Sequence, residues 1–244
     1  MKNLIRQVTP PFVIDLARLA LRRTPVPQED RVAAKPAGPV FTNTWFAGVQ
    51  DHWPVLLEAL KPAKILEVGS YEGASVCYLI EKLAKDHELE IVCIDSWEGG
   101  IEHKPGGFVE VDMASVESRF RHNTQLAMAA ARHEVKLTPC KGFSDVVLSR
   151  LIAEGKCEYF DLVYIDGSHQ APDVLFDAVA AFKLLRVGGI MIFDDYLWSE
   201  SLPGGVDPLR CPKPAIDAFV NLNIRKLKVL NAPLQQLYVE KTAA

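Results

Sequence analysis

The sequence lacks the features that define several large classes of protein. No apolar run approaches the roughly 18 residues that a membrane span needs. The net charge is −4 and the isoelectric point about 5.9, so no excess of basic charge is present to attract nucleic acid. No C-x-x-C pairing occurs, which favours buried thiols in a reducing compartment, the cytoplasm, over a disulfide framework or a zinc site. The five cysteines are Cys77, Cys93, Cys140, Cys157 and Cys211.

The composition is that of a globular protein with a full core. The chain has 244 residues, of which 49% are hydrophobic and 24% charged, and this suits one large α/β domain. We predict this domain over residues 41–244. Residues 24–40 contain four prolines and little apolar sequence, which predicts an extended linker with no core of its own.

Residues 1–23 predict an amphipathic N-terminal arm. They carry five basic side chains and one acidic side chain, and from Pro11 to Arg23 the pattern suits a helix with basic ends. Asp15 and Arg18 interrupt the apolar pattern, which argues against a signal-peptide core. Two interpretations remain open. The arm packs on its own domain or on a partner subunit of a homo-oligomer, or it is weakly attracted to the anionic inner face of a membrane.

Strand and helix patterns alternate after residue 44. Strands are predicted at 64–68, 90–95, 135–139, 160–166 and 190–195. One or two helices are predicted over 44–60, and further helices at 73–85, 112–130, 144–154, 172–185 and 213–221, with the RVGG sequence (186–189) as a turn. Two further strands, 224–230 and 234–240, are joined by a segment too short for a parallel crossover, so they pair antiparallel. The sequence therefore predicts a Rossmann-like, doubly wound α/β fold, with a seven-stranded, mostly parallel sheet and a C-terminal antiparallel hairpin.

The first strand leads into a glycine-containing motif, ILEVGSYEGAS. It does not match the G-x-G-x-x-G dinucleotide fingerprint, because Ser70 and Tyr71 follow Gly69. Gly69 and Gly73 allow a tight turn and the close approach of a ligand, and the acidic Glu67 suits a cationic group better than a pyrophosphate. Glycines after a strand are also common turn residues, so the motif is weak on its own.

The ends of the second and third strands add to this pattern. An acid at the end of the second strand typically holds ribose hydroxyls, and Asp95 occupies that place. The Trp97 indole either covers an adenine or packs in the core. The KGFSDVV helix start either offers backbone N–H groups to an adenine edge or simply caps its helix. These candidate residues are Asp95, Ser96, Trp97, Gly142, Phe143 and Ser144. Together they indicate an adenosine ligand without a pyrophosphate: S-adenosylmethionine rather than NAD.

Three acidic residues follow the fourth and fifth strands: Asp166, Asp194 and Asp195. At about 4 Å, two adjacent carboxylates repel by roughly 4 kcal/mol if the effective dielectric constant is about 20. Neighbouring parallel strands place their carboxyl ends side by side, so we expect Asp166 to lie beside the adjacent pair. Three carboxylates at one edge predict a hard divalent cation, Mg²⁺ or Ca²⁺ rather than Zn²⁺. The alternative is that these acids cap helices or face solvent.

A divalent cation would make chemistry on a hydroxyl feasible. An aliphatic hydroxyl is about as weak an acid as water, with a pKa of about 16, and a bound metal ion lowers that pKa and orients the oxygen. The resulting alkoxide could attack the sulfonium methyl group in line. His169 follows Asp166 by three residues and is a candidate general base. A lone histidine is more often structural, and the pattern leaves open whether His169 or Asp166 takes the proton.

From about Trp45 to Glu240, the chain resembles class I S-adenosylmethionine-dependent methyltransferases. The likeness is greatest to the metal-dependent O-methyltransferases of the macrocin and novobiocin sugar-methylating type. The motifs that carry it are ILEVGSYEGAS, IDSWEGG, FDLVYIDGSHQAPDVLFDAVAAFKLLRVGGIMIFDDY and the closing strand pair. The resemblance implies a methionine site at Glu67, Gly69 and Gly73, a ribose site at Asp95, adenine near Ser144, and magnesium at Asp166, Asp194 and Asp195.

The resemblance also implies a class of acceptor. Catechol-type relatives usually have asparagine at the position of Asp195, so this chain leans toward the sugar-modifying branch. Its N-terminal TPP and basic apolar helix look like the leaders of enzymes of surface-polysaccharide biosynthesis, which suggests a glycan acceptor. Segments 98–111 and 197–213 are expected to close over it. The alternatives are an aromatic or catechol-like acceptor, an NAD-dependent oxidoreductase, and a catalytically silent S-adenosylmethionine-fold module that binds a partner.

Overall fold

The computed structural model describes residues 37–103, 109, 111–200 and 202–244. The predicted arm (1–23) and all but the end of the predicted linker lie outside these residues. The architecture below is that of the unit Gly38–Ala244.

A seven-stranded sheet forms the centre of this unit. Its strands are β1 (Lys64–Val68), β2 (Leu89–Asp95), β3 (Val135–Lys141), β4 (Phe160–Ile165), β5 (Leu185–Phe193), β6 (Leu227–Leu230) and β7 (Leu237–Lys241). Their spatial order is β3-β2-β1-β4-β5-β7-β6. The first five strands are parallel, whereas β7 runs antiparallel to both β5 and β6. The predicted Rossmann-like fold with its C-terminal antiparallel hairpin is confirmed.

Six α-helices connect or flank the strands. They are α1 (Trp53–Leu60), α2 (Ala74–Leu83), α3 (Met113–Ala130), α4 (Ser144–Ala153), α5 (Ala171–Leu184) and α6 (Pro212–Asn223). Asp112 caps α3, since its carboxylate accepts a hydrogen bond from the Ala114 amide. No helix among the described residues is both long and apolar enough to cross a membrane.

The central strands are apolar on both faces because helices cover both sides of a parallel sheet. Alternate residues of β1 enter different cores. Leu66 packs in the core that contains α4, α5 and α6, whereas Ile65 packs in the core that contains α1 and α2. With both faces occupied by apolar side chains, polar residues of β1, β2, β4 and β5 gather at the ends of the strands.

The structure differs from the predicted elements at three places. RVGG is not a turn between α5 and β5, because β5 already begins at Leu185 and the sequence forms an irregularity within the strand: Phe160 pairs with Leu185, but Leu162 pairs with Ile190. Residues 44–60, predicted as one or two helices, form two short 3₁₀ turns (Phe46–Gly48 and Gln50–His52) followed by the single α-helix α1. The two C-terminal strands begin three residues later than predicted, after residues that form turns.

Candidate active site

Glu67 lies beneath the turn that follows β1. Its side chain is fully buried and accepts hydrogen bonds from the hydroxyls of Ser70, at 2.6 Å, and Ser75. Burial raises the pKa of the Glu67 carboxyl to about 7, although the two serine hydroxyls oppose the shift. Glu67 therefore holds together the turn and the first residues of α2 from below.

Gly69 and Gly73 are required by the backbone geometry of this turn. Both have left-handed φ values, +86° and +79°. A Cβ atom on Gly69 would lie 1.9 Å from the carbonyl oxygen of Asp166, so the turns after β1 and β4 are in direct contact. A Cβ on Gly73 would lie 3.0 Å from the ring of Phe120 on α3. A side chain is excluded at Gly69 by space, and the backbone conformation disfavours side chains at both positions.

The Asp95 carboxylate ties the end of β2 to the same turn. One oxygen accepts hydrogen bonds from the amides of Ser70 (2.9 Å) and Tyr71 (2.8 Å), and the other accepts one from the amide of Trp97 (2.7 Å). Two strand ends are thus joined at the place where the sequence predicts a ribose site. Ser96 lies in this turn as well, and its hydroxyl accepts a hydrogen bond from the amide of Glu98.

Trp97 packs within the core. Its indole is 4% exposed, its ring centroid lies 4.9 Å from that of Phe120, and its Nε1–H donates to the Tyr71 carbonyl at 3.0 Å. Of the two interpretations left open by the sequence, the structure supports packing. The indole supports the turn after β1 from beneath.

The start of α4 lies beside the end of β2. The Gly142 amide donates to the Asp95 carbonyl at 2.9 Å, Phe143 is the N-cap residue, and Ser144 is the first helical residue. The Phe143 side chain is exposed. The first N–H groups of a helix have no partner within the helix, so this end of α4 can meet the acceptor atoms of a ligand.

The acidic residues after β4 and β5 also meet. The Tyr164 hydroxyl lies within hydrogen-bond distance of Asp166 (3.0 Å) and of Asp194. A hydroxyl has one proton to donate, so a proton on one carboxyl is needed to complete both contacts. Burial, followed by the repulsion of neighbouring carboxylates, raises the pKa of Asp166 and of Asp194. Asp166 and Asp194 therefore disfavour being ionised together.

His169 joins this cluster through Asp195. Its Nε2 lies 2.8 Å from the Asp195 carboxylate, and its ring stacks on Trp198 with centroids 4.1 Å apart and an interplanar angle of 20°. The histidine ring is thus fixed at its edge and on one face. His169, the predicted base, and Asp195, a predicted metal ligand, are therefore hydrogen-bond partners.

The donor chemistry of the cluster fits a hard cation, although its arrangement is not a complete ligand cage. Asp166, Asp194, Asp195 and His169 line a cavity of ≈ 10 Å³, which is about the space of one water molecule. Within the described part of the chain, no three His, Cys, Asp or Glu side chains are already grouped as a metal site. Carboxylate oxygens in a confined space are the ligands that Mg²⁺ and Ca²⁺ prefer.

Several residues of the site were not identified from the sequence. Gln236 is buried and donates to Asp194 at 3.2 Å, while its own oxygen accepts from Trp53 Nε1 (3.1 Å) and from the Tyr238 hydroxyl (2.7 Å). The period of two along β4 places Tyr164 on the same face as Asp166, and this signal could have found it. No local pattern connects Gln236 or Trp53 with the site.

The predicted acceptor segments are only partly described. Of residues 98–111, the structure describes 98–103, 109 and 111, and of 197–213 it describes all but 201. The second segment contains Trp198, so it reaches the acidic cluster through His169.

Comparison with known proteins agrees with this architecture. A family model described as a methyltransferase domain matches residues 66–196, more than half of the chain. The chain is 24% identical to the caffeoyl-CoA O-methyltransferase of Populus kitakamiensis over 180 residues, which cover 72% of this chain and 66%, just under two thirds, of the relative.

Two solved structures share the fold. The O-methyltransferase from Bacillus cereus in complex with SAH (S-adenosylhomocysteine) is 20% identical, with a TM-score of 0.53 and 84% of each chain covered. MycE from the mycinamycin biosynthetic pathway, in complex with Mg, SAH and mycinamycin VI, is 19% identical, with a TM-score of 0.51, 79% of this chain and 49% of that chain covered. The match to the family model confirms the resemblance to methyltransferases that the motifs predicted, and the chain belongs to this family of class I S-adenosylmethionine-dependent methyltransferases.

Proposed function

We propose that the protein is an O-methyltransferase that transfers the methyl group of S-adenosylmethionine to a hydroxyl of a sugar or glycan, with Mg²⁺ activating the hydroxyl. The observation that carries this proposal is the contact between the two halves of the site. Gly69 lies against the Asp166 backbone, so the turn expected to hold the cofactor borders the acidic cluster. A methyl donor and an activated hydroxyl need this proximity for in-line transfer.

The cofactor would lie across the ends of β1, β2 and β3. Glu67 is the candidate to compensate the ammonium group of the methionine part from beneath the turn, because the buried carboxyl gains charge when a cation approaches. Asp95 is the candidate for the ribose hydroxyls, and the start of α4 for the adenine. The closely packed turn at Gly69 leaves backbone rather than side chains to border the ligand.

Asp166, Asp194 and Asp195 would hold the metal ion. When bound, Mg²⁺ lowers the pKa of a coordinated hydroxyl and compensates the negative charge that burial and mutual repulsion disfavour. Tyr164 and Gln236 keep the carboxylates in place by donating hydrogen bonds. MycE, which shares the fold, was solved with Mg, and this supports the choice of metal.

His169 would accept the proton of the hydroxyl. The ring lies at the acidic cluster, with Nε2 2.8 Å from the Asp195 carboxylate, and imidazole is the side chain whose ordinary pKa best suits a general base near neutral pH. Asp195 stabilises the imidazolium that forms, and Trp198 holds the plane of the ring. Such positioning of a base is worth roughly 10²–10⁴-fold in rate.

An aromatic hydroxyl is the second candidate acceptor. The curated relative is named a caffeoyl-CoA O-methyltransferase, whereas MycE was solved with mycinamycin VI. The aspartate at position 195 favours the sugar branch in our proposal. Transfer of labelled methyl groups to parallel panels of sugars and phenols separates the two candidates, and turnover of phenols alone would refute the sugar assignment.

Calorimetric titration tests the cofactor and the metal separately. SAH is titrated into the protein, and MgCl₂ is then titrated into wild type, Asp194→Asn and the exposed control Asp86→Asn. We expect SAH to bind all three proteins and Mg²⁺ to bind wild type and the control only. SAH binding without any Mg²⁺ binding would remove the metal from the mechanism. Absence of SAH binding would contradict the methyltransferase proposal.

A further inference from the structure

A segment ahead of the first helix lies against the turn that borders the cofactor site. We call residues 38–45 the strap and residues 69–73 the cofactor loop. We propose that the strap is part of the cofactor site, and that Glu72 is the positioning residue that joins it to the cofactor loop. The inference rests on the S-adenosylmethionine assignment and goes beyond it, because no motif or comparison assigns a role to the strap.

The Glu72 carboxylate is shared between the strap and α3. It is 2% exposed. The Thr42 amide and the Thr42 hydroxyl each donate to it at 2.7 Å, one to each oxygen, and Arg119 Nε donates at 2.5 Å. A buried carboxylate depends on such donors, since an unsatisfied charge is costly in the interior. Displacement of Thr42 would therefore remove two hydrogen bonds from Glu72 and expose or disrupt its ion pair with Arg119.

Asn123 on α3 fixes the strap at a second point. Its side chain exchanges two hydrogen bonds with the backbone of Val40, at 2.7 and 2.8 Å, as a neighbouring β-strand would. The same amide nitrogen also donates to the carbonyl of Glu72 at 3.0 Å. The Asn123 side chain is 1% exposed, so α3 binds the strap and the cofactor loop with one buried group.

The cofactor loop needs this support because Tyr71 has an unfavourable backbone conformation. Its φ of +44° is left-handed, which is rarely adopted by a residue with a side chain. Asp95 and Trp97 hold its amide and carbonyl from one side. From the other side, the Trp45 ring of the strap lies 5.2 Å from the Tyr71 ring. Opening of the strap would free Tyr71 and, with it, the amide that orients Asp95.

Loss of the contacts between the strap and the cofactor loop should therefore lower the affinity for the nucleoside cofactor. A carboxylate with a similar set of hydrogen bonds elsewhere in the protein provides the control. Asp161 also accepts two hydrogen bonds from one segment, the amides of Ala63 (2.9 Å) and Lys64 (2.8 Å), and one from Arg186 Nε (2.6 Å). It lies at the opposite end of the sheet, at the start of β4. A carboxylate that only stabilises the fold should behave like Asp161 when neutralised.

The experiment compares wild type, Glu72→Gln, Thr42→Val and Asp161→Asn. SAH affinity is measured by calorimetry, thermal stability without ligand by scanning calorimetry, and hydrogen exchange of peptides from the strap by mass spectrometry. We expect Glu72→Gln to weaken SAH binding by about tenfold or more and Thr42→Val to weaken it in the same direction, because charge-assisted hydrogen bonds are lost. Both should exchange the strap amides faster, whereas Asp161→Asn should lower the melting temperature with affinity unchanged.

Two results would overturn the inference, and they are distinguishable. If both strap variants exchange faster or melt earlier but bind SAH within twofold of wild type, the strap is structural and lies outside the cofactor site. If wild type itself binds no SAH, the cofactor assignment fails first and the inference fails with it. Thr42→Val leaves the Glu72–Arg119 pair in place, so it decides the question even if Glu72→Gln does not fold.

Discussion

Asp177 should make the protein less stable as the pH rises from about 4 to about 7. It lies in α5, is 1% exposed, and its Oδ1 has no hydrogen-bond partner among the described residues. Burial raises the pKa of its carboxyl from 3.8 to about 7; a hydrogen bond with Ser144 opposes the shift, and the charges of Asp173 and Asp145 add to it. Replacement by asparagine keeps the shape and removes the ionisation.

The size and sign of the effect follow from linkage between protonation and folding. The pKa of the Asp177 carboxyl rises from 3.8 in the unfolded state to about 7 in the native state. Because one pKa unit corresponds to 1.36 kcal/mol, ionisation of Asp177 opposes folding by about 4 kcal/mol. The native state binds more protons than the unfolded state between about pH 4 and pH 7, and stability falls across this window. Asp177→Asn should therefore be more stable than wild type above neutrality, and this advantage should vanish toward pH 4.

Urea denaturation of wild type and Asp177→Asn at about pH 5 and about pH 8.5 measures the difference. Glu67 titrates in the same range, but it is present in both proteins and cancels. Asp86→Asn, an exposed acid on the surface, controls for the loss of one negative charge. A difference in the free energy of unfolding that is equal at the two pH values would refute the reasoning, as would a less stable variant at the higher pH.

Three further substitutions test the site and its support. Gly69→Ala should lower the free energy of unfolding by about 2 kcal/mol or more, because its Cβ would collide with a backbone carbonyl, whereas Gly204→Ala in open space should not; equal denaturation midpoints would contradict this. Tyr164→Phe should weaken Mg²⁺ binding about 10–100-fold in calorimetry by removing a hydrogen bond to the acidic cluster; unchanged affinity would exclude that role. Lys241→Met should lower the free energy of unfolding in urea by about 2–3 kcal/mol, because the buried ammonium group donates hydrogen bonds to two carbonyls at the end of α5. An unchanged free energy of unfolding would show that these carbonyls find other partners.

The strand ends were predictable because the information is local. Apolar runs mark the parallel strands, and acidic residues at or just after the end of each run mark the edge of the sheet, so Glu67, Asp95 and Asp166 could be placed without a structure. Because neighbouring parallel strands end side by side, Asp194 could also be predicted to lie beside Asp166. The roles predicted for these residues in binding cofactor and metal stay predictions until ligand binding is measured.

The features that the sequence did not predict depend on contacts between distant parts of the chain. RVGG has the composition of a turn, yet pairing with β4 draws it into β5 with an irregular register. Val40, at the end of the predicted linker, and Thr42 bind side chains 83 and 30 residues away. A proline-rich composition reports only that a segment makes no core of its own, and it carries no information on which buried side chain the segment meets.

The chemistry of the site is set by the sheet, because the hydrogen-bond ladder continues past the ends of the strands. The amides of Gly69, Asp166 and Asp194 donate to carbonyls at the ends of the neighbouring strands, those of Ile94, Val68 and Ile165, at 2.8–2.9 Å. The turn at the cofactor and the acidic residues are therefore extensions of a rigid ladder, and their spacing follows from strand register. The segments 98–103, 197–200 and 202–213 lie outside this ladder. Exchange of these segments between relatives should consequently change the acceptor while the positions of Gly69, Asp166 and Asp194 are kept.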